Sequence, residues 1–151
     1  MDERRAAKML LKHEIREARV NLKTKMINGE IWPGTRCACG EQGATDLGHV
    51  VYSRHPDRVD LYSELNMTLM HNTCNTTDEA LWINVNACLI LLGRAGTIEG
   101  WEAWARGLER KSPFWIPRKM RIAQGLWQEG VRAFDFVKIM DYVNRPLGVV
   151  K

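Results

Sequence analysis

Three stretches decide how this chain is read: Cys37-Ala38-Cys39-Gly40, Asp46-Leu47-Gly48-His49-Val50-Val51, and Leu65-Asn66-Met67-Thr68-Leu69-Met70-His71-Asn72-Thr73-Cys74-Asn75. Cys37, Cys39, His71 and Cys74 bring three thiols and one imidazole from two segments, the donor set of a tetrahedral structural zinc site. The segment from Trp32-Pro33-Gly34 to Gly43 is glycine-rich and short of apolar surface. Bound zinc would supply the folding free energy that such a knuckle lacks. The Cys-x-Cys gap is tighter than the usual two-residue gap, and the competing reading is a set of buried thiols without metal. Cys88 lies in the apolar run of residues 87–92 and reads as a core thiol.

Around these ligands the pattern predicts strand, loop, strand, helix. Residues 49–52 form a short strand, 53–64 a polar loop, and 65–70 a second strand with alternating faces. Thr76, Thr77 or Asp78 then caps a helix to about Leu92, with Gly93 as its stop. The flanks read as helical. Residues 2–28 carry an apolar stripe of Leu11, Ile15, Ala18, Leu22 and Met26, ended by Gly29. Thr97 caps a helix to about Arg110, and Pro117 opens one that ends near Gly130. Residues 131–144 place Phe134, Val137 and Met140 at helical spacing. Trp101, Trp104, Trp115 and Trp127 are expected to pack in the core rather than stack on bases.

Charge is distributed unevenly along the 151 residues, whose formal net charge is +4. Residues 1–30 hold eight Lys/Arg against five Asp/Glu, residues 31–80 three against seven, and residues 81–151 eleven against six. Basic arms around an acidic centre suit a gripped polyanion with a cation in the middle, although a surplus of surface charge explains the same numbers. On the first helix, Arg5, Lys8, Lys12, Arg16, Arg19 and Lys23 form a cationic row beside the apolar stripe. A solvated face interlaced with Glu14 and Glu17 is the alternative. The charged N-terminus and the short apolar runs predict no membrane span and a cytoplasmic protein, where thiols favour metal over disulfide.

The quoted stretches together resemble the HNH family of ββα-metal endonucleases in an HNN form with a zinc knuckle. The likeness covers about forty residues from Cys37, and the internal offsets agree: His71, Cys74 and Asn75 stand five, eight and nine residues after Asn66. The resemblance implies a ββα-metal module with structural zinc and leaves both flanks unexplained; with the helical periodicity of the flanks, the expected fold is α+β and mostly helical, one domain in which this module (residues 31–93) lies between a basic N-terminal helix (1–30) and a helical extension (94–151). It also implies that His49 is the general base, that Asn66 orients it from across the loop, and that Asn75 ligates one catalytic Mg2+ or Mn2+.

One position departs from the family pattern: many members carry Asp or His directly before the catalytic histidine, and this chain has Gly48. The ion then relies on Asn75, phosphate and water, or Asp46 reaches it, or catalysis is weak. Arg54, His55 and Arg58 are candidate phosphate contacts near the cut, and Lys8, Lys12, Arg16 and Arg19 are candidate DNA contacts along the first helix. The expected activity is metal-dependent hydrolysis of DNA phosphodiesters. The alternatives are a nuclease selective for branched DNA and a zinc-stabilised nucleic-acid-binding protein without catalysis. One active site cuts one strand, so double-strand cleavage calls for a homodimer or for sequential nicking.

Overall fold

A computed structural model describes residues 2–50, 59–76, 80–109 and 116–144. Arg54, His55, Arg58, Trp115 and the caps expected at Thr77 or Asp78 lie outside the described residues. The fold is α+β and mostly helical, with six helices and a two-stranded sheet among the described residues. No single described helix is long and apolar enough to cross a membrane.

Helix α1 spans Glu3–Ile27, close to the expected range. Asp2 caps it by accepting a hydrogen bond from the Arg5 backbone N–H at 2.7 Å, and Gly29 leaves the helix at φ +77°. Its apolar stripe is unevenly used. Leu22 and Met26 are buried, whereas Leu11, Ile15 and Ala18 are only half-buried and Met9 and Leu10 are exposed. The helix is therefore anchored by its last turns.

Among the described residues the first strand, expected at 49–52, is β1, Asp46–His49, while Val51 and Tyr52 lie outside the described residues; the second strand, expected at 65–70, is β2, Met67–Met70. They pair antiparallel with Asp46 opposite Met70 and His49 opposite Met67, and the Val50 N–H extends the ladder to the Asn66 carbonyl at 2.9 Å. The expected alternation in β2 is absent: all four residues are buried. A two-stranded sheet is marginal alone, and here β2 packs against both α1 and a central helix, so neither of its faces is solvated.

That central helix, α3, spans Leu81–Ala95 and is separate from α2, the five-residue helix Asn72–Thr76. The single helix expected from about Thr76 to Leu92 is thus corrected, and so is its stop. Gly93 lies inside α3, and Gly96, at φ +86°, ends it. The added turn is held by Arg94, whose guanidinium donates to the Trp32, Glu64 and Met67 carbonyls. Every residue of α3 from Val85 to Leu92 is buried, as a helix apolar on all sides requires. Val85, Cys88, Leu89, Leu91 and Leu92 face the C-terminal helices, while Ile83, Ala87 and Ile90 face the sheet, the knuckle and the end of α1. Each fully buried Leu or Ile here contributes about 1.5–3 kcal/mol.

The C-terminal helices are α4 (Ile98–Glu109), α5 (Arg118–Gln128) and α6 (Phe136–Val143). Thr97 Oγ1 accepts from the Gly100 N–H and caps α4 as expected, and Pro117 is the N-cap of α5 rather than its first residue. The final segment differs more. Phe134 adopts φ +70° in a turn before α6, Val137 is 83% exposed, and Ile139 is the residue that enters the core. The stripe expected through Phe134, Val137 and Met140 fails because the helix starts after Phe134. Trp101 is fully buried with its indole N–H donating to the Leu65 carbonyl, and Trp104 packs on it at 6.0 Å. Arg132 covers the Trp127 ring at 3.5 Å.

Candidate metal centre and adjoining cleft

The ligand atoms of Cys37, Cys39, His71 and Cys74 lie within 4.8 Å of one another. Bond lengths near 2.3 Å to sulfur and 2.0 Å to nitrogen put the ligands of a tetrahedral zinc ~3.5–3.8 Å apart. The His71 Nδ1 separations of 3.4 Å from Cys39 Sγ and 3.9 Å from Cys74 Sγ match that spacing. His71 Nε2 donates to the Gln42 carbonyl at 2.7 Å, which leaves Nδ1 with its lone pair turned to the thiols. Cys37 Sγ, fully buried, accepts from the backbone N–H groups of Cys39 and His71 at 3.4 Å each. The cluster can hold a metal ion such as zinc.

Electrostatics point the same way. Burial, and then repulsion from Cys37 and Cys39, pushes the Cys74 thiol up to about 12. Burial also raises Cys37, against the backbone N–H groups of Cys39 and His71. Cys39 is raised by burial but ends lowered, because the Glu41 backbone N–H and the neighbouring Cys37, His71 and Cys74 stabilise its thiolate. Three thiolates cannot crowd together unless a cation balances them, and a central divalent ion does so. Cys88, raised to about 12 by burial in the core, takes no part.

A few residues away, a cavity of about 320 Å³ gathers Asp46, His49 and Asn75 with Tyr62, Arg19 and Lys23. His49 ends β1 and packs edge-on against the Tyr62 ring at 5.6 Å. Its pKa is lowered, first by burial and then by the charges of Arg19 and Lys119, which favours the neutral imidazole. Asn66 is fully buried and donates from Nδ2 to the Leu61 carbonyl at 2.9 Å, closing the chain between the strands. Its position is pinned by Ser63, which accepts from the Leu65 N–H, and by Arg94 and Trp101, which grip the carbonyls of Glu64, Met67 and Leu65.

Asn75 belongs to the short helix α2, not to the start of the long one. Its Nδ2 donates to the Leu47 carbonyl at 3.4 Å. Asp46 accepts from Asn72 Nδ2 at 2.8 Å through one carboxylate oxygen. A Cβ at Gly48 would lie 2.7 Å from Met70 Sδ and 3.0 Å from Asn75 Oδ1, so the space that a carboxylate there would need is taken. Asn75 and Asp46 both line this cavity and offer hard oxygen donors, the ligand chemistry that suits Mg2+ or Mn2+.

The structure therefore brings His49, Asn75 and Asp46 to one cavity, whose lining does not include the buried Asn66. Arg19 lines the same cavity, while Lys8, Lys12 and Arg16 are exposed farther along α1. Sequence reasoning missed Tyr62, Gln42 and Lys119. None carries a local spacing signal, because each reaches the site through tertiary packing. Comparison with family profiles, curated proteins and solved structures finds no match for the chain.

Proposed function

We propose that this chain is a metal-dependent DNA endonuclease built on a ββα-metal module, with its Cys3His cluster as a structural zinc site. One observation carries the reading: a histidine whose pKa is lowered by burial shares a cavity with an amide, a carboxylate and two cations, and that amide, Asn75, directly follows the cluster's Cys74 in the chain. A neutral His49 takes the proton from a water as its oxygen attacks phosphorus; the bond from phosphorus to the leaving oxygen breaks, and that oxygen is protonated from solvent. Tyr62 holds the imidazole plane, and Asn66 ties down the chain that carries Tyr62. Asn75 Oδ1 and the Asp46 carboxylate would hold one Mg2+ or Mn2+. When bound, that ion neutralises charge developing on the phosphoryl group and the leaving oxygen.

Supercoiled plasmid incubated with Mg2+ or Mn2+ tests the reading. Nicked circles should form with wild-type protein, be abolished by chelator, and fall roughly 10²–10⁴-fold with His49→Ala, the usual cost of losing a general base. Plasmid left intact under every divalent ion would overturn it and favour a zinc-stabilised binding protein.

A further inference from the structure

We propose that Arg19 and Lys23 are catalytic residues that bind the non-bridging oxygens of the scissile phosphate beside His49, a role distinct from general attraction along the helix. This deepens the nuclease reading and rests on it for the identity of the reacting group. The two residues are four apart in α1 and so stand one above the other on one face, one helical turn apart. Both line the cavity that also holds His49, Asp46 and Asn75. Among the described residues, neither forms an ion pair; the ion pair of this helix is His13 with Glu17, elsewhere along its length. The helix turn that carries them is fixed, because Leu22 and Met26 are buried under the sheet and knuckle. Arg19 lies close enough for its charge to act on the imidazole.

Two cations that share a cavity with the base, and form no ion pair with the Asp46 carboxylate that lines it too, suit a phosphate: a guanidinium fork grips two oxygens, and an ammonium offers a point charge. They add positive charge to a site in which Gly48 supplies no ligand. Farther out, Lys8, Lys12 and Arg16 continue the same row. From Lys8 to Lys23 the row spans about 22 Å at 1.5 Å per residue, or about six nucleotide steps at ~3.4 Å each.

The test compares Arg19→Gln/Lys23→Gln with Arg4→Gln/Lys25→Gln, which removes the same charge from the same helix outside the cavity. Both are surface changes, and zinc content reports that each variant folds. At saturating DNA, the cavity pair should lower kcat at least tenfold, and the control pair should leave it at the wild-type value. Equal kcat in the two variants would overturn the proposal. A second readout needs no cleavage. Thymidylyl-thymidine with a methylene-bridged, uncleavable phosphonate linkage should shift the His49 imidazole NMR signals of wild type and of the control variant, and should fail to do so with the cavity pair. If the dinucleotide shifts His49 through Arg19 and Lys23 but no DNA is cut, the phosphate site stands and the nuclease reading fails. If DNA is cut and the cavity pair shifts His49 like wild type, the nuclease reading stands and this proposal fails.

Discussion

The side-chain oxygen of Asn75 lies 3.0 Å from the point a Cβ on Gly48 would occupy, so the glycine is what lets the α2 amide close onto β1. Adding a methyl group there must move Asn75 or the buried Met70, whose Sδ is 2.7 Å from the same point. The methionine end can yield, since it is flexible. Gly48→Ala should therefore lower activity about 10–100-fold, the cost of a displaced site group, and raise the Mg2+ concentration needed for half-maximal rate. Gly48→Ala/Met70→Ala should recover only part of the loss. Kinetics across a Mg2+ series check this; full recovery in the double variant would assign the effect to Met70 alone.

The pH profile follows from His49. Its depressed pKa keeps the base neutral, so the acid limb of the rate profile should fall below the ordinary histidine value of 6.5. Arg19→Gln removes one depressing charge and should shift that limb upward. The sign for stability is the same. Below pH 6.5 the unfolded chain takes a proton that native His49 resists, so stability declines as pH falls through that value, and His49→Gln should flatten the slope. Rate profiles and melting curves from pH 5 to 8 measure both effects.

Zinc removal should unfold the centre and spare the far side. The knuckle has few apolar residues of its own, and Cys37, Ala38 and Ala44 are buried in a cluster shared with α1, β2 and α3. Cys74→Ser should lose one zinc per chain by elemental analysis and lower the melting temperature, since a structural zinc carries folding free energy. Cys88→Ser should keep its zinc, because that thiol lies within the other core cluster. Zinc retained by Cys74→Ser at wild-type affinity would remove Cys74 from the cage.

The legible parts of the fold and of the site were the local ones. His71 and Cys74 are one helical turn apart, and Cys37 and Cys39 flank one residue, so short-range spacing was enough to group them. Thr97, Gly29 and Gly130 mark helix ends through their own chemistry, and those ends were readable. Gly93 was misread because its neighbour Arg94 gains three carbonyl partners from distant segments, which outweigh the intrinsic cost of a helical glycine of about 1 kcal/mol. The buried pattern of β2 was hidden for a similar reason: alternation requires one wet face, and two elements cover this strand. The cationic row containing Arg19 and Lys23 was legible as a candidate DNA contact, but that these two share a cavity with His49 depends on how the last turns of α1 dock.

Asn86 offers the sharpest test of how the C-terminal region meets the metal centre. It is fully buried in α3, donates from Nδ2 to the Ala38 carbonyl at 2.8 Å, and accepts through Oδ1 from the Phe134 N–H at 2.7 Å. Asn86→Ala orphans both backbone groups and should cost about 2–4 kcal/mol, as buried groups left without partners do. Asn86→Asp keeps the acceptor for Phe134 but turns a carboxylate oxygen onto the Ala38 carbonyl in a buried site. Desolvation raises the pKa of such a group above its unfolded value of about 3.9. A raised folded pKa adds stability only where the group is protonated, so the loss relative to wild type should be greatest at neutral pH. It should shrink as pH falls through the raised value, where the protonated carboxyl can donate to Ala38. Melting temperatures of the variant and the wild type from pH 8 to pH 5 give the difference directly. A difference independent of pH would show that residue 86 is not held between Ala38 and Phe134.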